Sequence, residues 1–372
     1  MKSLFDPITL RGLTINNRVW MSPMMQFSST PTGPDTGIAT DWHFQHLAAR
    51  AIGGVGLAMV EATAIEPEGR SSEYDLGLWN DHQARSHGKI IDFLHEHGTA
   101  VGIQLVHAGR KASTGRPWNA GNHIERQWDR VGPSSESFGS LPAPRELTTA
   151  EISSLVESFG AGARRAHNAG FDVLELHGAH GYLIHQFLSP FSNVRTDRYG
   201  GSLTNRMRFA IEVVDAVRRE WPGDKPLFFR VSATDWLAGD TDDPRRGWTR
   251  EETVMLARIL GEHGVDLLDV STGGIAPDAK IPVKPNYQVQ FAEEVRREAA
   301  IPTAAVGLIT EPGQASEIVS SGSADAVFLA RELLHNPNWA QRAAADLGEP
   351  IRFPQQYARG FQRLVRASAG AS

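Results

Sequence analysis

Eight short apolar runs rich in β-branched residues, nearly all followed by an amphipathic stretch, constrain this 372-residue chain more than any other feature. The candidate strands are residues 19–22, 56–61, 100–105, 173–176, 227–231, 267–270, 303–306 and 326–329. The helical stretches are 42–51, 82–97, 150–169, 203–220, 250–263, 289–299, 312–320 and 332–347, assigned from apolar periodicity. Thr148 with Glu151, and Thr249 with Glu252, have the spacing of a capping box. Gly98, Gly170, Gly264 and Gly322 stand where a helix ends in a left-handed residue. Strand–helix alternation of this length predicts an α/β chain folded as a (β/α)8 TIM barrel. A doubly wound sheet is the competitor, but it usually closes with fewer strands. One domain over 1–372 is expected, although roughly 150 residues per domain would suggest two.

Two segments fall outside the alternation. Residues 8–18 alternate around Gly12 and read as a hairpin that plugs the N-terminal end of the barrel. Residues 111–147, between the third strand and its helix, are rich in Pro, Gly, Ser and Trp and read as a lid or binding loop. The tail 353–372 is irregular. The chain has no cysteine, which excludes structural disulfides, thiolate nucleophiles and cysteine-held iron–sulfur clusters. A net charge of −6 gives no reason to expect nucleic acid or an anionic membrane as partner. The N-terminus lacks an apolar signal core, and no apolar run approaches the roughly 18 residues of a membrane span. A cytoplasmic address is therefore expected.

Barrels of this kind work at the C-terminal ends of their strands. His177, His180 and Tyr182 crowd just past the fourth candidate strand. Two imidazoles can hold one substrate oxygen while a phenol delivers a proton nearby, which suits reduction of a double bond conjugated to a carbonyl. Gln104 ends strand three and can offer a donor and an acceptor to a pyrimidine edge. Arg230 ends strand five and could face the negative charge that a reduced flavin carries near N1. Gly307 follows strand seven and Ala330–Arg331 follow strand eight, the usual phosphate position of these barrels. No G-x-G-x-x-G follows a strand, so a mononucleotide such as FMN is expected rather than a Rossmann dinucleotide.

Met21-Ser22-Pro23-Met24, His107-Ala108-Gly109-Arg110-Lys111, His177-Gly178-Ala179-His180-Gly181-Tyr182 and Arg195-Thr196-Asp197-Arg198-Tyr199-Gly200-Gly201-Ser202 occur in that order. Val306-Gly307-Leu308-Ile309 and Phe328-Leu329-Ala330-Arg331 follow them. Together they resemble the old yellow enzyme family, closest to its xenobiotic-reductase and thermophilic-like branch, over nearly the whole chain. The resemblance implies an FMN-dependent ene-reductase. In it Pro23, Met24, Ala62 and Gln104 line the isoalloxazine, Arg230 meets N1, and Gly307, Ala330 and Arg331 cradle the phosphate. Ala330 stands where close relatives have glycine. His177 and His180 match the pair that binds the acceptor oxygen, Tyr182 the proton donor and Lys111 a substrate-pocket residue. Arg359 matches an arginine that the branch inserts into a neighbouring subunit's site, which implies a homo-oligomer, dimer or tetramer. Two positions depart from the branch. Met25 replaces a cysteine beside the flavin, and Phe27 replaces a tyrosine that reaches the substrate.

The mechanism so implied is ping-pong: hydride passes from NADPH or NADH to the flavin and then to the β-carbon of an enone or nitroalkene, while Tyr182 protonates the α-carbon. The alternative is a metal-dependent barrel hydrolase with His177 and His180 as ligands. A metal site needs three or more ligands, and the first strand ends in Met21-Ser22-Pro23 without a ligand pair; no metal is expected.

Overall fold

The structure, a computed structural model, describes residues 2–119, 127–238 and 241–361. The chain opens with a hairpin, β1 (Ile8–Leu10) and β2 (Leu13–Ile15), joined at Arg11 and Gly12. Eight parallel strands then close a barrel: β3 (Val19–Met21), β4 (Leu57–Ala64), β5 (Ala100–Val106), β8 (Val173–Gly178), β9 (Leu227–Ser232), β10 (Leu267–Ser271), β11 (Thr303–Ala305) and β12 (Ala326–Leu329). Closure comes from β12 pairing with β3, Leu329 opposite Met21. The expected (β/α)8 barrel is the observed fold.

Helices α1 (Asp41–Ile52), α4 (Thr149–Ala169), α6 (Leu203–Glu220), α7 (Arg250–Glu262), α8 (Val289–Ala299) and α9 (Pro312–Ser320) match their expected ranges to within a residue. Both expected capping boxes form, at Thr148 and Thr249, and Gly170 ends α4 at φ 101°. Two expected helices are broken. The stretch 332–347 divides into α10 (Arg331–His335) and α11 (Trp339–Asp346), because Pro337 has no N–H and forces Asn336 out of the helical region, to φ −131°, ψ 92°. The stretch 82–97 divides at His87 into α2 (Asp81–Ser86) and α3 (Gly88–Glu96). One further helix, α5 (Leu183–Leu188), follows Tyr182 directly and has no counterpart in the expected set.

Side chains alternate along each strand, and this places the site. In β8, β9 and β10 the inward positions run Val173–Glu175–His177, Phe228–Arg230–Ser232 and Leu267–Asp269–Ser271. The bottom layer is apolar. It joins Trp20, Leu57, Met59, Phe228 and Phe328 to Leu10 and Ile15 of the hairpin, so β1–β2 plugs the N-terminal end. Trp20 stacks on Phe228 at 5.7 Å. The alternate residues, Leu174, Leu176, Phe229, Val231 and Val270, face outward into the larger core beneath the helices. The middle layer is polar and the top layer opens at the strand ends. A register shift between Val60 and Ala62 in β4 sets Ala62 beside Gln104 of β5.

The long segment after β5 is anchored at its described ends. Its short strands β6 (Val131–Gly132) and β7 (Arg145–Glu146) pair in parallel, and Arg130 donates to the carbonyls of Ala112 and Ser113. Residues 120–126 of this segment, and 362–372 of the tail, lie outside the described residues. No helix among the described residues is long and apolar enough to cross a membrane.

Candidate active site

His177 is the last inward-facing residue of β8. Its Nδ1 accepts the N–H of Ala179 at 3.3 Å, so the neutral ring carries its proton on Nε2, free to donate. His180 lies on the loop beyond, at φ 57°, a conformation that costs a non-glycine residue of order 1 kcal/mol or more. Three contacts hold it there. Its N–H donates to Ser232 Oγ at 2.9 Å, its carbonyl accepts from Lys111 Nζ at 2.8 Å, and its Nε2 meets Ser271 Oγ at 2.7 Å. The two imidazoles stand edge to face, 5.2 Å apart, and the Tyr182 ring is 4.8 Å from His177. Burial first, then the Arg230 cation, pushes both imidazoles well below the usual histidine range. Both are therefore neutral at pH 7.

Burial pushes the Tyr182 phenol up, with Asp75 adding to the shift. The hydroxyl keeps its proton and donates it to Met25 Sδ at 3.6 Å. Lys111 Nζ lies over the rings of Phe138, at 4.4 Å, and Tyr182, at 5.3 Å. Burial and the neighbouring Arg110 bring Lys111 down to about 8. Phe27, at φ 50°, meets Trp118 edge to face at 5.7 Å. Pro23 and Met24 are half-buried on the extended run after β3.

Beneath this rim, Gln104 sits two residues inside the end of β5 and donates from Nε2 to Glu175 Oε1 at 2.7 Å. Arg230 reaches Ser22 Oγ at 3.2 Å and pairs through Nε with Asp269 at 3.1 Å. Beyond β11 and β12, Gly307, Ala330 and Arg331 line one cavity of about 150 Å³ with Ser271, Tyr287 and Gln288. Gly307 is required there: its φ is 119°, and a Cβ would stand 2.6 Å from Gln288 Nε2. Ala330 takes φ −114°, ψ −95°, outside both the helical and the extended regions. Among the described residues no group of three or more His, Asp or Glu side chains is placed to hold a metal ion.

The structure thus gathers the residues singled out in the sequence around one barrel mouth, except Arg359. Residues 353–356, just before it, line a cavity with Asn16, Gly98 and Thr99 at the N-terminal ends of the strands. Arg359 is exposed on that tail. A seven-residue strand at about 3.3 Å per residue separates the two ends by roughly 20 Å. The sequence reading attaches no role to Glu175, Asp269, Ser232, Ser271 or Gln288, all of which the structure sets against the site. For the two acids a signal existed: each interrupts an apolar strand at the alternate position below an inward-facing polar residue.

Residues 3–349 match the NADH:flavin oxidoreductase / NADH oxidase family. The chain belongs to that family. An NADPH dehydrogenase of Geobacillus thermodenitrificans is 49% identical over 360 residues, covering 96% of this chain and 98% of the relative. An NADPH dehydrogenase of Listeria innocua is 46% identical over 363 residues, covering 97% and 100%. Among solved structures, the old yellow enzyme homologue from Zymomonas mobilis superposes with a TM-score of 0.77 at 27% identity, covering 94% of each chain. Morphinone reductase in complex with tetrahydroNAD gives 0.75 at 28% identity, covering 95% of this chain and 93% of that one. The protein is an NAD(P)H-dependent flavin oxidoreductase of the old yellow enzyme type, with FMN as cofactor and a nicotinamide as reductant. This sets aside the hydrolase alternative. The residues present fit FMN: an amide and a guanidinium at the barrel mouth suit its pyrimidine edge, and the small cavity around Gly307 suits its phosphate.

Proposed function

We propose that this oxidoreductase reduces activated alkenes, α,β-unsaturated carbonyl compounds first and nitro compounds in addition, in a ping-pong cycle. The observation that supports this reading furthest is the meeting of two neutral imidazoles and a protonated phenol at the end of β8, above Gln104 and Arg230. When bound, FMN supplies the hydride chemistry, taking two electrons from NADPH or NADH and returning them to the alkene. His177 Nε2–H is a preorganised donor to the acceptor's carbonyl or nitro oxygen. His180 Nε2 is engaged with Ser271 Oγ and must share or release that bond as the oxygen arrives. Tyr182 holds its proton until the α-carbon needs it. Lys111 keeps the loop carrying His180 in place through the carbonyls of His180 and Gly274. Phe27 borders the substrate side, and Pro23, Met24, Met25 and Ala62 border the flavin. The expected setting is the cytoplasm.

The direct test is the visible spectrum of the purified protein, its anaerobic bleaching by NADPH, and the return of colour on adding an α,β-unsaturated ketone. A colourless protein that cannot be reconstituted with FMN would sink the reading. Bleaching without recovery in the presence of any enone would sink the substrate class alone.

Met25 provides a finer test. A thioether accepts the Tyr182 hydroxyl but donates nothing toward the flavin edge. Restoring a donor should gain one net hydrogen bond to the reduced ring, about 0.5–1.5 kcal/mol. At about 1.4 kcal/mol per 30 mV for a two-electron couple, Met25→Cys and Met25→Thr should raise the midpoint potential by about 10–30 mV, Thr more than Cys. Potentials that stay level or fall would leave packing against Tyr182 as the role of this side chain.

Arg359 leaves the barrel at the end opposite His177, so it serves an active site only if that site belongs to a second copy of the chain. A homo-oligomer, dimer or tetramer, is the arrangement proposed. Truncation before Tyr357 should change KM for substrate or nicotinamide more than it changes flavin retention. A fully active monomer in solution would refute the shared site.

A further inference from the structure

Inside the barrel, directly below His177, lies a layer of two carboxyls and one guanidinium. Glu175 and Asp269 are 0% exposed and Arg230 is 6% exposed. Arg230 is committed to Asp269 at 3.1 Å. A second ionised carboxyl would leave this dry layer with a net negative charge, an arrangement that costs heavily without a partner. Glu175 has no such partner. Its Oε1 accepts Gln104 Nε2–H at 2.7 Å, and its Oε2 meets no hydrogen-bond partner among the described residues.

The groups facing Glu175 are few. From β5 it meets the uncharged Gln104; from β9, Arg230; from β10, Asp269; and on its own strand His177, the next inward residue, is neutral. Burial first, then the charge of Asp269, drives the Glu175 carboxyl well above the usual carboxylate range, against the smaller pull of Arg230.

We propose that Glu175 is a positioning residue of the reductase: a neutral carboxylic acid that fixes the Gln104 amide and, on losing its proton, makes the bound flavin harder to reduce. This rests on reading Gln104 and Arg230 as the groups along the flavin's pyrimidine edge. With one Gln104 N–H committed to Glu175, the other N–H and the Oε1 carbonyl remain for the ring. While Glu175 is neutral, the Arg230 cation is offset by Asp269 alone. When Glu175 ionises, a second negative charge stands beneath a ring that must itself accept electrons. Reduction then binds one extra proton, at Glu175 Oε2, beyond those taken by the ring. The reduction equilibrium accordingly falls by up to a further tenfold per pH unit, about 30 mV for a two-electron couple.

The experiment is the midpoint potential of FMN-loaded wild type and Glu175→Gln from about pH 5 to about pH 9, a range that starts near the ordinary glutamate value of about 4.3. Glutamine keeps the shape and an acceptor oxygen but cannot ionise. The two proteins should agree within about threefold in equilibrium constant at the acid end, the span of roughly half a pKa unit. Wild type should fall progressively below the variant toward the alkaline end. Parallel curves throughout would overturn the proposal. Reduced-minus-oxidised infrared spectra give a second measurement that survives a misfolded variant. Wild type carrying 13C-labelled glutamate should gain, on reduction, the carbonyl band of a buried protonated acid, and this band should grow as pH rises into the range where Glu175 is ionised in the oxidised protein; no such band at any pH would also overturn it. Gln104→Ala and Arg230→Lys separate the two levels. If both leave FMN affinity and potential unchanged, the underlying site reading fails; if both shift them and Glu175→Gln does not, only the role of Glu175 fails.

Discussion

Tyr182→Phe should leave reduction of the flavin by NADPH near its normal rate and slow reoxidation by an enone by up to about 10²–10⁴-fold, the range over which a positioned acid acts. The substitution is selective because of what the ring touches. Phenylalanine keeps the edge contact to His177 and the face offered to Lys111 Nζ, 5.3 Å away. Only the hydroxyl and its bond to Met25 Sδ are lost. The phenol is the protonated group beside the imidazole pair, and burial keeps it protonated across the physiological range. Stopped-flow measurement of the two half-reactions separates the outcomes. A variant whose flavin reduction collapses while its reoxidation is untouched would reverse the assignment.

His177→Ala and His180→Ala should each slow enone reduction by about 10²–10³, the usual cost of one preorganised donor to a developing oxyanion. Each should also weaken phenolic ligands, read from the visible spectrum of the bound flavin. Because the proposed role has both imidazoles binding one acceptor oxygen, the double variant should lose less than the sum of the singles. The two singles also differ structurally. His177 sits in a strand, whereas His180 is held by Ser232, Ser271 and Lys111 in a left-handed turn. Truncating His180 therefore also removes one partner of Ser271 Oγ, which keeps its bond to Gln288 Oε1 at 3.3 Å. Because burial holds both rings neutral, the donor geometry should not titrate near the ordinary imidazole value of about 6.5; it should fail only as pH falls far below that. A fall in enone reduction near pH 6.5 that disappears in His177→Ala would contradict neutral donors. Unchanged phenol affinity in both variants would make the pair structural.

The alternation of apolar runs with amphipathic stretches determined the barrel, because each βα unit buries one face of a strand under its own helix and leaves the other for the interior. That is a local pattern, and it is written locally. The same holds for the capping boxes at Thr148 and Thr249 and for the hairpin plug around Gly12. The rim residues were legible for a related reason: in a parallel barrel a strand's end is a site position wherever the strand lies. What a single strand cannot show is its neighbour's inner face. Glu175 and Asp269 read as isolated acids in apolar runs until closure sets them in one layer with Arg230 and Gln104. Arg230 reaches Ser22, 208 positions away, only because β12 returns to pair with β3. Likewise Arg359 follows the barrel strands in the chain yet leaves at the far end, which no spacing encodes. Periodicity therefore carried the architecture and the rim. The charge balance beneath the rim, and the engagement of His180 by Ser271, came from contacts between residues far apart in the chain, where burial and geometry act only after the barrel has closed.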